Sequence, residues 1–301
     1  MLVVSACALY SVACYVCIVF FFFYFFSIFF LMIRRPPRST LDRSSAASDV
    51  YKRQTLFTGR QVISLGTVMS TNSYMADLLK MRVMPEGTLL KAAIQSAGRG
   101  QGESTWFSEK SKNMLLSFAF FPRFLLARDI FLLNKAYSLG IFDYVSFRLG
   151  PGVKIKWPND IYWEDKKVSG ILIENQINSS AVIQSILGIG LNVNQESFPD
   201  YLTNAVSMSM VLGKDLELEE EILDLCNCLE GRYLQLKREE HKELNADYLN
   251  VLYRYEEWHP FSANENSFSG KIMGIDPSGK LIVKKDDGMV LAYDTKEIQF
   301  T

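Results

Sequence analysis

Hydrophobic and polar positions from Thr55 onward alternate on two periods, as in a chain that mixes strands with helices. "SLGTVMSTNSYMADLLKMR" reads as a short strand, a polar turn at "STN", and an amphipathic helix that Thr71 or Asn72 could cap. "GTLLKAAIQS" and "NMLLSFAFFP" read as two strands joined by a glycine-rich loop. A helix is expected over roughly residues 124–140, then "VKIKWPNDIYWEDKKVSGILIEN" as a strand, a turn, and a hairpin turning at "EDKK". "AVIQSILGIGLNVN" supplies one further strand. Residues 214–256 are charged and helical, with Glu/Lys pairs most simply read as a solvated face. After "WHPF" the period shortens to strands separated by "DPSG" and "DDG" turns, a small all-β module.

The first 54 residues do not share this pattern. Residues 1–33 are almost wholly apolar, and eight phenylalanines crowd into Phe20–Phe30. Residues 13–33 are long enough to span a bilayer, with "RRPPR" behind them, so a membrane anchor rests on whether residues 1–33 are genuine. The single-aromatic composition and the segment "LMIRRPPRSTLDRSSAASDVYKRQ" are more like a non-native extension, and residues 1–54 are left out of the fold reasoning. Without their six basic and two acidic side chains, 26 basic and 31 acidic remain, a net of −5 in place of −1. That sign argues against a nucleic-acid groove. Of the cysteines outside this segment, Cys226 and Cys228 stand too close together in a helical stretch to staple anything, which suits a reducing cytoplasm.

The loop "SAGRGQGESTW" carries Gly98, Gly100 and Gly102 around Arg99 and Gln101, and ends on Trp106. Bare backbone of this kind can bring N–H groups up to an anion, so it suits a lid that closes over phosphate. It joins strand to strand and is not spaced G-x-G-x-x-G, which excludes a dinucleotide fingerprint, and no Walker A run occurs. The chain has two histidines, His241 and His259, so neither a Ser-His-Asp triad nor a His/Cys metal cluster is expected. Chemistry must then rest on Lys, Arg, Asp, Asn and backbone groups, which suffice for nucleotidyl transfer. "KIKWPND" places Lys154 and Lys156 on one strand face, and Pro158 turns the chain to present Asn159 and Asp160. Lys167 follows, just before Gly170. Trp106 and Trp157 are either core wall or ligand-stacking rings.

"STN" (70–72), "QSAGRGQGESTWFS" (95–108), "KWPND" (156–160), "KVSGIL" (167–172) and "GIGLNVN" (188–194), in this order, resemble the catalytic domain of the biotin protein ligases, in a form without a DNA-binding domain. The likeness runs from about residue 60 to the end. It implies an α/β catalytic domain over 55–255, built on a mixed, largely antiparallel sheet flanked by helices, and an SH3-like β-barrel over 256–301. The implied reaction is ATP-dependent attachment of biotin, through biotinyl-5′-AMP, to a lysine of a biotin carboxyl carrier protein. Ser70, Thr71, Asn72, Gln95, Gly98, Arg99, Lys167 and Gly170 would bind biotin, and Arg99, Gly100, Gln101, Trp106, Lys156, Asn159 and Asn192 would bind ATP. Lys167, Arg99 and Asp160 would serve catalysis, with Asp160 orienting a lysine or binding Mg²⁺. Gln101 and Gly102 stand where the family commonly has arginines, which lowers the positive charge near the phosphates. Lipoate or octanoyl transfer, and a biotin sensor without turnover, are the alternative readings. A cytoplasmic monomer or homodimer with no nucleic-acid partner is expected.

Overall fold

The computed structural model describes residues 55–264 and 266–301. Residues 1–54, and with them the apolar span, lie outside the described residues. Among the described residues no helix is long and apolar enough to cross a membrane.

Seven strands form the main sheet: β1 (Val62–Val68), β2 (Thr88–Gln95), β3 (Met114–Phe120), β4 (Val153–Lys156), β5 (Asp160–Trp163), β6 (Lys166–Asn178) and β7 (Ala181–Leu191). Their order is β1-β2-β3-β7-β6-β5-β4. Only β1 and β2 pair in parallel; every other neighbour is antiparallel, giving the mixed, largely antiparallel sheet expected from the sequence. β3 is central and buried throughout, so its sequence is an apolar run without clean alternation.

Helix α1 (Thr71–Met81) covers one face, where Met75, Leu78 and Leu79 meet Leu90, Ala119 and Ile186. The larger core lies on the opposite face, under α2 (Phe131–Leu149), a short α3 (Met208–Leu212), α4 (Leu218–Lys237) and α5 (His241–Asn250). α2 starts and ends later than residues 124–140. The expected end, near residue 140, falls inside α2, and there a Cβ on Gly140 would stand 2.8 Å from Leu229 Cα of α4. The bare backbone lets two helices approach closely. The true end is Gly150, at φ 74°.

The acidic face of α4 is not wholly solvated. Glu221 is buried and accepts from Tyr144 Oη (2.6 Å) and Arg148 Nε (2.7 Å). Glu230 is buried and accepts the backbone N–H groups of Leu56, Phe57 and Thr58, which fixes the start of the described chain. Both carboxylates are satisfied by partners from distant sequence, invisible to a local charge pattern.

Strands β8 (Trp258–Ala263), β9 (Asn266–Ile275), β10 (Leu281–Lys285), β11 (Val290–Tyr293) and β12 (Gln299–Phe300) form a second, antiparallel sheet ordered β11-β10-β9-β8-β12. It is fastened to the first by the Trp157 indole, which donates to Gly279 O at 3.0 Å, while Tyr248 Oη of α5 holds the neighbouring turn by donating to Pro158 O at 2.6 Å. Trp157 is thereby core wall.

Candidate active site

A cavity of about 830 Å³ opens on the α1 face of the sheet. Its floor exists because that face carries glycine where a sheet normally carries side chains. Gly170 on β6 and Gly190 on β7 are directly paired, and Gly188 pairs with Leu172. A Cβ at Gly170 or Gly190 would stand 2.7 Å from ring atoms of Trp106. A Cβ at Gly188 would overlap the amide of Asn72. Three missing side chains thus leave space that an indole and an amide partly fill, and the remainder is the cavity.

The "STN" turn supplies one wall. Ser70 is the N-cap residue of α1, but neither its hydroxyl nor a side chain at Thr71 or Asn72 caps the helix. The cap comes from β2: Gln95 Oε1 accepts from Thr71 N (2.7 Å) and Thr71 Oγ1 (3.1 Å). The expectation that Thr71 or Asn72 caps is therefore corrected. Gln95 satisfies an orphan helix N–H, which fixes its carbonyl and leaves its amide N–H₂ as a donor beside Gly98. The Ser70 hydroxyl makes no hydrogen bond among the described residues and lines the cavity. Asn72 is buried, accepts from Ser117 Oγ (2.6 Å), and donates to Leu172 O (3.2 Å) and Glu174 Oε2 (2.8 Å).

The glycine loop forms a small hairpin over the opening. Gly100 N donates to Ser104 O (2.7 Å), Trp106 N donates to Gly98 O (2.9 Å), and Arg99 bridges Thr105. Arg99 Nη2 binds both carboxylate oxygens of Glu174, at 2.9 and 2.8 Å. On the far wall Lys167 Nζ donates to Asp160 Oδ2 at 2.6 Å and lies 5.9 Å from the Trp106 ring centroid. Two of the cavity's cations, Arg99 and Lys167, are thus each steadied by a carboxylate, with a row of neutral donors and acceptors opposite them. Trp106 Nε1 is buried without a partner among the described residues.

Of the residues singled out from sequence, Ser70, Thr71, Asn72, Gln95, Arg99, Gly100, Gln101, Trp106, Asn159, Asp160, Lys167 and Gly170 line this one cavity. Gly98, Lys156 and Asn192 do not. Gly98 sits behind the lining, where a Cβ would stand 2.5 Å from Trp106 O. Lys156 packs over the Tyr162 and Phe300 rings, at 4.9 and 5.0 Å, and burial lowers its pKa, with nearby Lys167 and Arg254 adding to the effect against Asp160. Asn192 is buried and donates to Val206 O (3.2 Å) and Lys167 O (3.5 Å), bracing the strand that carries Lys167. Sequence reasoning gave no role to Glu174, Gly188, Gly190, Thr295 or Lys296, which belong to the site or its lining. A carboxylate closing the apolar run "SGILIE" was the available signal for Glu174. Nothing local could tie Thr295 and Lys296 to a loop almost two hundred residues earlier.

The nearer oxygen of Asp160 is held by Lys167, and among the described residues no group of three His, Cys, Asp or Glu side chains could hold an ion.

The fold and cavity define an α/β domain with a glycine-floored pocket beside paired cations. The sequence profile of the biotin/lipoate A/B protein ligase family matches residues 65–192. The bifunctional ligase/repressor BirA of Bacillus spizizenii is 30% identical over 238 residues, covering 78% of this chain and 73% of that protein. The biotin–[acetyl-CoA-carboxylase] ligase of Mycobacterium tuberculosis is 30% identical over 193 residues, covering 61% and 69%. Biotin protein ligase from Aquifex aeolicus, solved in complex with biotin and ATP, superposes with a TM-score of 0.67 at 25% identity over 80% of this chain and 100% of that one. The chain belongs to the biotin/lipoate A/B protein ligase family, among the biotin protein ligases.

Proposed function

We propose that this protein joins biotin to one lysine of a biotin carboxyl carrier protein in two steps, with MgATP as co-substrate. In the first step a carboxylate oxygen of biotin attacks the α-phosphorus, the bond to the pyrophosphate oxygen breaks, and biotinyl-5′-AMP and pyrophosphate form. In the second, the neutral ε-amine of the carrier lysine attacks the acyl carbon, the bond to the phosphate oxygen breaks, AMP leaves, and the amine loses a proton. The observation that carries this reading is the juxtaposition, in one cavity, of an uncharged donor and acceptor wall at Ser70, Thr71 and Gln95 with the cations Arg99 and Lys167. The neutral wall suits a ureido ring. The cations lie where carboxylate and phosphate meet.

Lys167 offsets charge that builds on the carboxylate and phosphate oxygens, and Asp160 fixes the position of its ammonium beforehand, which spares reorganisation during reaction. Arg99 turns from Glu174 to the phosphate as the hairpin closes, so the ligand supplies the contact that favours closure. Residues 55–255 carry this machinery, and residues 256–301 form the accessory β module. The test is an ATP-dependent labelling assay of the full chain with a purified biotin carboxyl carrier domain, with lipoate offered in parallel. Transfer of biotin to a single carrier lysine is expected. Preferential transfer of lipoate, or binding of biotin without release of pyrophosphate, would replace this reading by a lipoyl ligase or a sensor.

A further inference from the structure

Three cationic side chains line the cavity: Arg99, Lys167 and Lys296. Arg99 is held by Glu174 and Lys167 by Asp160. Lys296 has no ion pair or hydrogen bond from its side chain among the described residues, and it comes from the turn between β11 and β12 of the second sheet. Its acidic neighbours are engaged elsewhere. Asp294 accepts from Thr295 N (2.9 Å) and lies 4.0 Å from Lys280 Nζ, while Glu297 accepts from Asp294 N (2.7 Å). The ammonium stands beside the glycine hairpin, 3.7 Å from where a Cβ on Gly102 would be. Thr295 receives a long hydrogen bond from Gln101 at 3.5 Å, so loop and turn meet side by side.

The charge balance gives this position a purpose. Between Ser96 and Trp106 the hairpin holds one cation, Arg99, and one acid, Glu103. A polyphosphate chain entering beneath it meets no net positive charge from the loop itself, and both inner cations already have carboxylate partners. A Cβ at Gly102 would lie 3.7 Å from Lys296 Cε and Nζ, an ordinary contact distance, so the hairpin and the lysine stem lie side by side.

We propose that Lys296 binds the outer phosphates of the nucleotide, so that the β module contributes a cation to the active site across the hairpin. The proposal rests on the nucleotide-dependent reading above, and it makes the module part of the phosphate grip. Exposure of Lys296 keeps it hydrated in the free protein, and charge-assisted bonds to phosphate oxygens form when the ligand arrives.

The test compares wild type, Lys296→Gln and Lys296→Arg as full chains. Calorimetric titration with inorganic tripolyphosphate, with and without biotin, reads the phosphate grip without any turnover. Loss of one partly screened charge-assisted contact should weaken tripolyphosphate binding about tenfold in the Gln variant, with the Arg variant within about twofold of wild type. In steady-state pyrophosphate release, KM for MgATP should rise by about the same factor while KM for biotin and kcat move less than about twofold. Equal tripolyphosphate affinity in wild type and the Gln variant overturns the proposal, as does absence of tripolyphosphate binding by the wild type. An equal loss of biotin affinity in the Gln variant overturns it too, because the effect would then be structural. A wild type that binds tripolyphosphate through Lys296 yet labels no carrier refutes the functional reading and leaves the phosphate site standing.

Discussion

Gly188→Ala isolates the reason the cavity exists. The added methyl would overlap Asn72 Oδ1 and stand 2.8 Å from its Cγ and 2.9 Å from its Nδ2, well inside contact distance. Asn72 is buried against the sheet and cannot yield without breaking its bonds to Ser117, Leu172 and Glu174. At about 1 kcal/mol net for each of these hydrogen bonds the loss is about 3 kcal/mol. Replacing glycine inside a strand returns about 0.5–1 kcal/mol. The expected destabilisation is therefore about 2–3 kcal/mol, a fall in Tm of about 5–10 °C for a protein of this size. The assay is a double-mutant cycle by thermal and urea unfolding, with Asn72→Ala as the second change. Once Asn72 is truncated there is nothing for the methyl to strike, so Gly188→Ala should be neutral or mildly stabilising in that background, a coupling of about 2–3 kcal/mol. If the two changes add to within about 0.5 kcal/mol, or the single variant melts with wild type, the clearance argument fails.

Lys167→Ala should lower biotin-dependent pyrophosphate release by about 10²–10³ while shifting stability by less than about 1 kcal/mol, since its partly exposed pair with Asp160 contributes little to folding; unchanged release would remove Lys167 from the chemistry. Amide exchange across residues 96–106 should slow when biotin and ATP are added together, and Arg99→Ala should release biotinyl-5′-AMP sooner; equal protection with and without ligands would mean a rigid hairpin. Lys135 is buried between Phe131 and Tyr248, bonded to Asn245 at 2.6 Å, and burial brings its pKa down to about 8 against the opposing pull of Asp276. Between that value and the ordinary lysine range the unfolded chain binds the extra proton, so stability rises with pH across this window. Lys135→Met should accordingly be more stable than wild type by about 1–2 kcal/mol at pH 7, with the advantage shrinking above pH 8. A constant difference from pH 7 to 10 would contradict it.

Local pattern determined most of the elements. The alternating and apolar runs mark β2, β3 and β7 because a strand in a sheet repeats every two residues, and the "STN" turn ahead of an amphipathic run marks α1. The five short motifs pointed to residues from four strands and a helix that the fold gathers on one cavity. What the chain could not declare locally is which partner each group meets. The helix expected to stop near residue 140 runs on to Leu149 against α4, and Glu221 and Glu230 read as solvated until Tyr144, Arg148 and residues 56–58 reach them. Lys156 and Lys167 differ little as sequence, yet one packs on aromatic rings and the other faces the cavity. Glu174 and Lys296 enter the site only because β6 runs beneath the hairpin and the second sheet folds back beside it. Periodicity is a property of neighbours along the chain. Burial, ion pairing and clearance are properties of neighbours in space, and long-range packing alone decides them.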